Sequence, residues 1–300
     1  MKTLIPSVIL CSFLSLNVSA QKAIIITEGP VTFKHGNTPG ITVSIPEVSF
    51  KNVQDSWLKS IEKGTKSKVQ DEGGEFSIFG ANIKEIASAP INVYSYVKDN
   101  DTAILLAASF ELKKDVYVSV ENDAEGFAKA KAYLLEFAKE HYLDLAKGQL
   151  DTEEKKLSKL ESELKSLENE KVKLEKMIQS NTTSIGATND ELVIQRTNLL
   201  SLNEELLAQT NQYNAMEEGP AKDEKKKYID DLEKRIKKTN KEIESGEKKI
   251  VDLQAEIDKA QTDNLPTNIR QQEQMRTAVN EQKEVVESYQ KKYNAIKDYK

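Results

Sequence analysis

The sequence predicts an α+β protein, in which a small antiparallel sheet with two helices on one face is followed by a long antiparallel coiled-coil hairpin. Two observations lead to this class. Before about residue 147, short runs of alternating apolar residues are separated by most of the glycines and five of the seven prolines. After it, leucine and isoleucine recur every seven residues among lysines and glutamates, which is typical of a coiled coil. We therefore divide the chain into a signal peptide (1–20), a small α+β domain (21–147) and a coiled coil (148–300).

The first twenty residues have the order of a secretory signal peptide. Lys2 supplies a positive charge, residues 4–16 are mostly apolar, and Val18-Ser19-Ala20 forms a small-residue cleavage site. The apolar run is too short to span a bilayer. Cys11 lies inside this run after a leucine, whereas a lipid-modified cysteine needs a small residue before it. We expect cleavage after Ala20 and a mature protein that is periplasmic or secreted.

The composition of the mature chain bounds its chemistry. Cys11 is the only cysteine, so cleavage leaves no residue for a disulfide, a thiolate nucleophile or a cysteine metal site. No second run of eighteen apolar residues follows the signal peptide, so we expect no membrane span. The net charge of −6 is spread over alternating lysines and glutamates, which gives no reason to expect nucleic acid as a partner.

The α+β domain is predicted from the period of its apolar residues. Apolar and small polar residues alternate from Ile41 to Ile45, as in a half-buried strand. Val53, Trp57 and Ile61 follow at steps of four, as on one face of a helix. Residues 21–40 either add an edge strand or form a mobile arm, and both alternatives stay open. Further strands and a second helix are predicted from these sets: Phe76 and Ile78; Ile91, Val93 and Val97; Ile104, Leu106, Ala108, Phe110 and Leu112; Val116, Val118 and Val120; and, after an N-cap at Asn122 or Asp123, Phe127, Leu134, Ala138 and Leu145.

The first arm of the coiled coil, residues 148–218, carries an unbroken heptad pattern. An apolar stripe of this length needs a partner helix to cover it. Polar core positions near Gly186 mark the segment where we expect a local bend. The a positions are Leu150, Leu157, Leu164, Lys171, Ile178, Ile185, Leu192, Leu199, Leu206 and Tyr213, and the d positions include Leu160, Leu167, Leu174, Leu202 and Met216.

The second arm, residues 221–300, begins after a predicted turn at Gly219-Pro220, because glycine ends helices and proline can open one. Leu265-Pro266 interrupts the new heptad pattern, so we expect a kink near residue 266. Beyond it the pattern is displaced by one residue. The a positions are Ile229, Ile236, Ile243, Ile250 and Ile257 before the proline, and Val279, Val286 and Tyr293 after it.

Two architectures would bury these stripes. One is a hairpin folded at Gly219-Pro220, in which Leu199 lies near residue 240 and Leu164 near residue 275. The other is a parallel homo-oligomer of continuous helices, which isoleucine at the a positions also suits. A helix breaker in the middle of otherwise regular heptads favours the hairpin.

The sequence contains no recognisable catalytic, cofactor-binding or metal-binding constellation. Only two histidines occur: His35 lies in a segment with loop composition, and His141 follows Phe137 and Ala138 by about one turn. Neither has a second nitrogen ligand or an oriented carboxylate at helical spacing, so we interpret both as surface or satisfied histidines. We predict no enzyme activity and no cofactor.

Two features resemble exported proteins of Bacteroidota. Asp101-Thr102-Ala103 resembles the Asp-Thr/Ser-aliphatic acceptor for O-glycans in such proteins, which makes Thr102 a candidate acceptor. The segments Asp55 to Ile61 and Leu157 to Lys176, with Gln21 as first mature residue, resemble uncharacterised proteins that join a small α+β domain to a Lys/Glu-rich coiled coil. The resemblance covers about the first 180 residues and implies no activity or site residues.

These patterns predict a non-enzymatic periplasmic or secreted scaffold or interaction protein. The α+β domain would dock on a protein of the cell envelope, while the coiled coil acts as a spacer or as a helical binding surface and can form homo-oligomers. The alternative is a periplasmic holdase-type chaperone with coiled-coil arms. Such chaperones tend to carry basic inner surfaces, which a net charge of −6 does not suggest.

Overall fold

The structure, a computed structural model, describes residues 22–299. The predicted signal peptide and Gln21 lie outside the described residues. Seven strands and four α-helices follow one another, with a short π-helical segment at Ala260–Asn264 between the third and fourth helices. Their bounds are β1 Ile25–Phe33, β2 Gly36–Pro46, α1 Phe50–Glu62, β3 Gln70–Asp71, β4 Glu75–Ala81, β5 Ile91–Asn100, β6 Ala103–Lys113, β7 Val116–Tyr117, α2 Ala124–Asn214, α3 Pro220–Lys259 and α4 Leu265–Lys297.

The strands form one antiparallel sheet in the order β1-β2-β6-β5-β4-β3, and the short strand β7 pairs with the end of β6. The predicted α+β class with an antiparallel sheet is therefore confirmed. Of the two alternatives for the N-terminal segment, the structure has the edge strand, since β1 pairs with β2 from Ile25 to Phe33. The segment after His35, which has loop composition, belongs to β2 because Gly36 to Gly40 complete this ladder.

The main hydrophobic core joins one face of the sheet to residues of α1 and α2. Ile41, Val43 and Ile45 are buried there, as their alternation predicts. Trp57 of α1 is fully buried, and its indole Nε1 donates a hydrogen bond of 2.8 Å to the hydroxyl of Ser95 on β5. The core contribution of α2 comes from Phe127, Ala130, Leu134, Phe137, Ala138, Tyr142 and Ala146.

The chain divides into two compact units. The first contains the described part of Met1–Ser158 together with Asn280–Lys300, and the second is Lys159–Val279. Helix α2 runs without interruption through residues 147 and 148, where the amino-acid composition changes. The last turns of α4 belong to the first unit, in which Ile296 is fully buried and Tyr299 donates a hydrogen bond of 2.8 Å to the carbonyl of Ile24.

Within the second unit, α2 contacts α3 and α4 in opposite chain directions. Near one end, Asn268 donates a hydrogen bond of 3.1 Å to the Leu167 carbonyl. Near the other, Lys225 donates one of 2.5 Å to Gln209. Gln209 lies 42 residues after Leu167 in the chain, whereas its partner Lys225 lies 43 residues before Asn268, the partner of Leu167. As the position along α2 increases, the position of its partner therefore decreases by nearly the same number of residues.

The helix ends lie close to the predicted breaks. Helix α2 ends at Asn214, and α3 begins at Pro220 with Gly219 as its N-cap residue. The π-helical segment directly precedes Leu265 and Pro266. Helix α2 is continuous through Gly186. Among residues 22–299, no helix combines the length and apolarity needed to cross a membrane.

Candidate functional site

A cleft of about 530 Å³ lies on the face of the sheet opposite the main core. Its walls come from the tip of the β1–β2 hairpin, from β3 and β4, from the start of β5, and from the β6–β7 turn. The lining side chains are Phe33, Lys34, His35, Gln70, Glu72, Glu75, Phe76, Ser77, Phe79, Asn92, Tyr94, Glu111, Lys114, Asp115 and Tyr117. Six of these carry aromatic rings and eight are acids, lysines or tyrosines, so the cleft is both aromatic and charged.

The pleat of β5 directs two tyrosines toward this second face. Ile91, Val93 and Val97 are buried in the main core, so Tyr94 and Tyr96, at the intervening positions, point to the other side. Tyr94 and Tyr96 there pack beside a small second cluster of buried apolar residues, Val31, Phe33 and Ala107. The second face is therefore apolar at its centre.

The tip of the β1–β2 hairpin is attached to the β3–β4 turn. The backbone N–H of Lys34 donates a hydrogen bond of 2.9 Å to the Glu75 carboxylate, and the Lys34 ammonium donates to the Glu72 carbonyl. Gly36 follows the turn with φ +130°, a backbone conformation that suits glycine. These contacts hold Phe33 and His35 beside β5, although Phe33 ends β1 and His35 lies in the turn between β1 and β2, at the opposite end of the sheet order.

Tyr94 is the centre of an aromatic cluster in the cleft. The distance from its ring centroid is 4.5 Å to His35, 6.1 Å to Phe79 and 6.4 Å to Tyr117. His35 in turn stacks on Phe33 with a centroid distance of 5.4 Å. The Phe79 side chain is 47% exposed, so part of this aromatic surface is open to solvent.

Glu111 on β6 places a carboxylate at the base of the same cluster. Its side chain is only 6% exposed and accepts hydrogen bonds from the Asn92 amide (2.8 Å), the Tyr94 hydroxyl (3.2 Å) and the Asp115 backbone N–H (2.9 Å). Burial opposes ionisation of Glu111, but these hydrogen bonds, with a smaller contribution from His35, lower its pKa. Burial and the neighbouring charge of Glu111 raise the pKa of Tyr94 to about 12. At neutral pH the site therefore holds a carboxylate next to a neutral phenol.

The structure separates the residues that the sequence analysis singled out. His35 lies in the cleft, whereas His141 lies on α2 with its ring 4.6 Å from that of Phe137. Burial lowers the pKa of His141 against the opposing effect of Asp144 and Glu140.

Thr102, the candidate O-glycan acceptor, is exposed in the two-residue turn between β5 and β6, and its hydroxyl donates a hydrogen bond of 3.3 Å to the Asn100 carbonyl. Within residues 22–299, no three His, Cys, Asp or Glu side chains are grouped so that they could hold a metal ion.

Sequence reasoning missed the central residues of the cleft. Tyr94 occupies a strand position between buried Val93 and buried Ser95, and Glu111 follows buried Phe110. One signal was present in the sequence: on β5 and β6, where the residues of one face already form the main core, the opposite face carries the large side chain of Tyr94 and the charged side chain of Glu111. This signal indicates a second packed surface on the sheet.

A second surface feature lies in the second unit, on α2. Three apolar doublets occur at steps of seven residues: Leu192-Val193, Leu199-Leu200 and Leu206-Leu207. The first member of each doublet is buried or half-buried, but Val193, Leu200 and Leu207 are 63%, 66% and 64% exposed. We call these three side chains the outer stripe. Aliphatic side chains repeated at this spacing form a continuous line along a helix.

Comparison with known proteins adds no functional assignment. No protein-family model matches the sequence, and a search of curated proteins finds no match. Function is therefore inferred from the sites themselves rather than from the fold, since one fold hosts many functions.

Proposed function

We propose that this protein is an exported, non-enzymatic scaffold whose helical region forms an antiparallel coiled-coil hairpin and associates with a second copy of the chain. The observation that carries this proposal is the outer stripe. Three aliphatic side chains that are each more than 60% exposed are unfavourable in water. Complete burial of a fully exposed side chain of this size contributes about 1.5–3 kcal/mol, and covering these partly exposed ones contributes somewhat less. A helix of a partner is the element whose side chains match a seven-residue repeat.

The side-chain contacts of the second unit support the hairpin. Arg196 and Glu247 form an ion pair of 2.6 Å, and Asn181 donates a hydrogen bond of 2.9 Å to Glu256. Both pairs join α2 to α3 at residues that a chain reversal near Gly219 would bring together. The same reversal underlies the expected proximity of Leu199 to residue 240.

A buried polar pair gives the hairpin a means of fixing its alignment. Asn268 and Gln272 are 3% and 8% exposed, and both donate hydrogen bonds to the Leu167 carbonyl, at 3.1 and 3.3 Å. Gln272 also donates to the Asn268 side-chain oxygen at 2.7 Å. A shift of one helix along the other would leave these amides buried without partners, which costs about 1–3 kcal/mol for each group. Polar residues at core positions of coiled coils specify register in this way.

The outer stripe fits a second copy of the chain. In an antiparallel pair centred on Leu200, Val193 of one copy faces Leu207 of the other, and Leu200 faces its own equivalent. Arg196 lies four residues before Leu200 and Glu204 four residues after it, and both are exposed. The pairing would therefore place Arg196, which already pairs with Glu247 of its own chain, opposite Glu204 of the other copy on either side of Leu200. This charge complementarity favours self-association over a helix of arbitrary sequence.

Export is the second part of the proposal. It is supported by the order of charged, apolar and small residues over positions 1–20, and it places the mature chain in the periplasm or outside the cell. The mass of the mature protein purified from the envelope or culture fluid tests it. A chain starting at Gln21 supports export, whereas an intact Met1 or an acyl group contradicts it.

Sedimentation of the mature chain tests the self-association. We expect the wild type to be a dimer and Leu200→Glu to be a monomer with unchanged helical circular dichroism. Val251→Glu is the matched control, because Val251 is equally exposed at 66% but lies on α3 outside the outer stripe. A Leu200→Cys variant should form a disulfide-linked dimer, since the symmetry axis places the two thiols together. A monomeric wild type, or loss of the dimer in Val251→Glu alone, would contradict the proposal.

A holdase chaperone is the second candidate, because exposed aliphatic side chains on α2 can also bind unfolded chains. The distinguishing measurement is the suppression of aggregation of a chemically unfolded client. A holdase loses this suppression in Leu200→Glu, whereas for the scaffold neither the wild type nor the variant suppresses aggregation.

A further inference from the structure

We propose that the cleft on the second face of the sheet binds an organic cation, an alkylammonium or guanidinium group. This site lies in the first unit and uses none of the residues of the outer stripe, so it goes beyond the proposed scaffold function and does not depend on it.

The charge of the cleft favours a cation. Of its lining residues that are charged at neutral pH, four are acidic and two are lysines: Glu72, Glu75, Glu111, Asp115, Lys34 and Lys114. The Lys34 ammonium is already directed to the Glu72 carbonyl, and Lys114 is exposed at the rim. Within residues 22–299 no lysine or arginine forms an ion pair with Glu111, whose partners are an amide, a phenol and a backbone N–H. These hydrogen bonds and, to a smaller extent, His35 favour the charged form of Glu111, and a bound cation would add a counter-charge beside this carboxylate.

The aromatic cluster supplies the second half of the recognition. Tyr94, Tyr117 and Phe79 line the cleft together, and the ring centroids of Phe79 and Tyr117 lie 6.1 and 6.4 Å from that of Tyr94. Ring faces attract alkylammonium and guanidinium groups within about 6 Å of the centroid. A quaternary ammonium carries apolar CH groups, and a guanidinium is more weakly hydrated than a primary ammonium, so the same rings can cover either group at a low cost in lost hydration. A carboxylate beneath several aromatic rings is suited to this ligand chemistry.

The hydrogen bonding of Glu111 distinguishes an organic cation from a metal ion. Both carboxylate oxygens already accept hydrogen bonds within the protein, three in all. A metal ion requires direct coordination by several oxygens and would have to displace these donors. An organic cation needs only proximity to the charge, which the existing arrangement provides. The volume of about 530 Å³ accommodates choline or the side chain of lysine or arginine.

The test is a titration of the mature protein, followed through the NMR signals of the aromatic side chains. The probes are tetramethylammonium and choline, as free small cations, and N-acetyl-lysine amide and N-acetyl-arginine amide, as models of a partner's side chain. The uncharged probe tert-butanol has a similar shape and serves as the ligand control. We expect the cations to shift the Tyr94 signals in a saturable manner and tert-butanol not to do so. Stronger binding of the first pair identifies a free small molecule as the natural ligand, and stronger binding of the second pair identifies a peptide.

Two variants test the residues, each with a control. Glu111→Gln removes the charge, and we expect binding to weaken about tenfold, the size of a strong desolvated cation–π or charge contact. Phe79→Ala removes a ring that is 47% exposed, so the fold should survive it, and we expect binding to weaken severalfold. Glu121→Gln and Phe50→Ala alter an exposed acid and an exposed phenylalanine outside the cleft and should leave binding unchanged. Equal shifts by tert-butanol, no saturable shift of the wild type, or equal binding by Phe79→Ala and the wild type would overturn the proposal.

Discussion

The ammonium of Lys292 on α4 lies 2.5 Å from the carboxylate of Glu47, which follows β2 in a chain position 245 residues earlier. The two side chains are only 9% and 19% exposed. Lys292 also donates a hydrogen bond of 3.2 Å to Gln149 and lies 5.5 Å from the centre of the Tyr142 ring. The first unit therefore includes an almost buried ion pair between its N-terminal sheet and the end of the chain.

Replacing Lys292 alone should destabilise the protein strongly. Lys292→Met leaves Glu47 buried without its partner, and we expect a loss of about 3 kcal/mol in the free energy of unfolding. Denaturant unfolding followed by Trp57 fluorescence measures it. Lys291→Met is the neighbouring control: Lys291 pairs with Glu287 on the same helix, both side chains are at least 65% exposed, and the expected change is below about 0.5 kcal/mol.

The double variant Glu47→Gln with Lys292→Met completes this experiment. Because it removes both charges, we expect it to recover most of the stability lost in Lys292→Met. A double variant that is no more stable than the single one would show that the ion pair is not the reason for the loss.

Two glycines in helices should respond differently to alanine. At Gly186 an added Cβ would meet nothing within 4 Å, so Gly186→Ala should stabilise the helix by about 1 kcal/mol. At Gly246 the new Cβ would lie 2.9 Å from Leu192 Cδ2, so Leu192 has to move and most of this gain should disappear. The midpoints of urea unfolding, followed by helical circular dichroism, give the comparison. An equal rise in both variants would mean that α3 does not approach Leu192 this closely.

Engineered disulfides test the antiparallel hairpin. We expect Leu199→Cys combined with Asn240→Cys, and Leu164→Cys combined with Met275→Cys, to crosslink within one chain that starts at Gln21 and so lacks Cys11, the only native cysteine. Non-reducing gel electrophoresis separates the intrachain product from dimers. Efficient dimers of Leu199→Cys alone, without an intrachain product from the pair, would instead indicate the parallel oligomer.

The phenol of Tyr94 makes stability dependent on high pH. Its pKa is raised to about 12 in the folded protein, whereas an unfolded tyrosine titrates near 10. The unfolded chain therefore releases this proton first, and the contribution of Tyr94 to stability is lost as pH rises from about 10 to 12. We expect the unfolding midpoint of Tyr94→Phe to fall less steeply over this range than that of the wild type. Parallel pH profiles of the two proteins would contradict the assigned environment of Tyr94.

The core of the α+β unit was predictable because its signal is local. The alternation from Ile41 to Ile45 and the steps of four from Val53 to Ile61 each lie within a few residues, and the structure buries these side chains. Strand β1 was left open because an edge strand that contains Glu28, Gly29 and Pro30 has no complete alternation. Its assignment depends on pairing with β2, which the sequence pattern of β1 does not show.

The cleft could not be assembled from the sequence. Phe33, Phe79, Tyr94 and Glu111 come from four strands, and each is an ordinary residue in its own segment. They meet because Lys34, at the tip of the β1–β2 hairpin, forms a hydrogen bond with Glu75 at the start of β4, and no sequence motif marks this long-range contact.

The composition change near residue 147 was also a poor guide to helix ends. Helix α2 continues through Lys147 and Gly148, although a basic residue followed by glycine is a common local signal for a helix end.

The π-helical segment Ala260–Asn264 affects which changes in sequence length the second arm can tolerate. A π turn holds one residue more than an α turn, and the heptad a positions ending at Ile257 and resuming at Val279 differ in phase by one residue. In a uniform α-helix, one added residue would rotate every following side chain by about 100°. Here the extra residue is absorbed within a single widened turn ahead of Pro266. A one-codon deletion in this segment should therefore convert it to an ordinary α turn and leave the buried faces of both flanking helices in place.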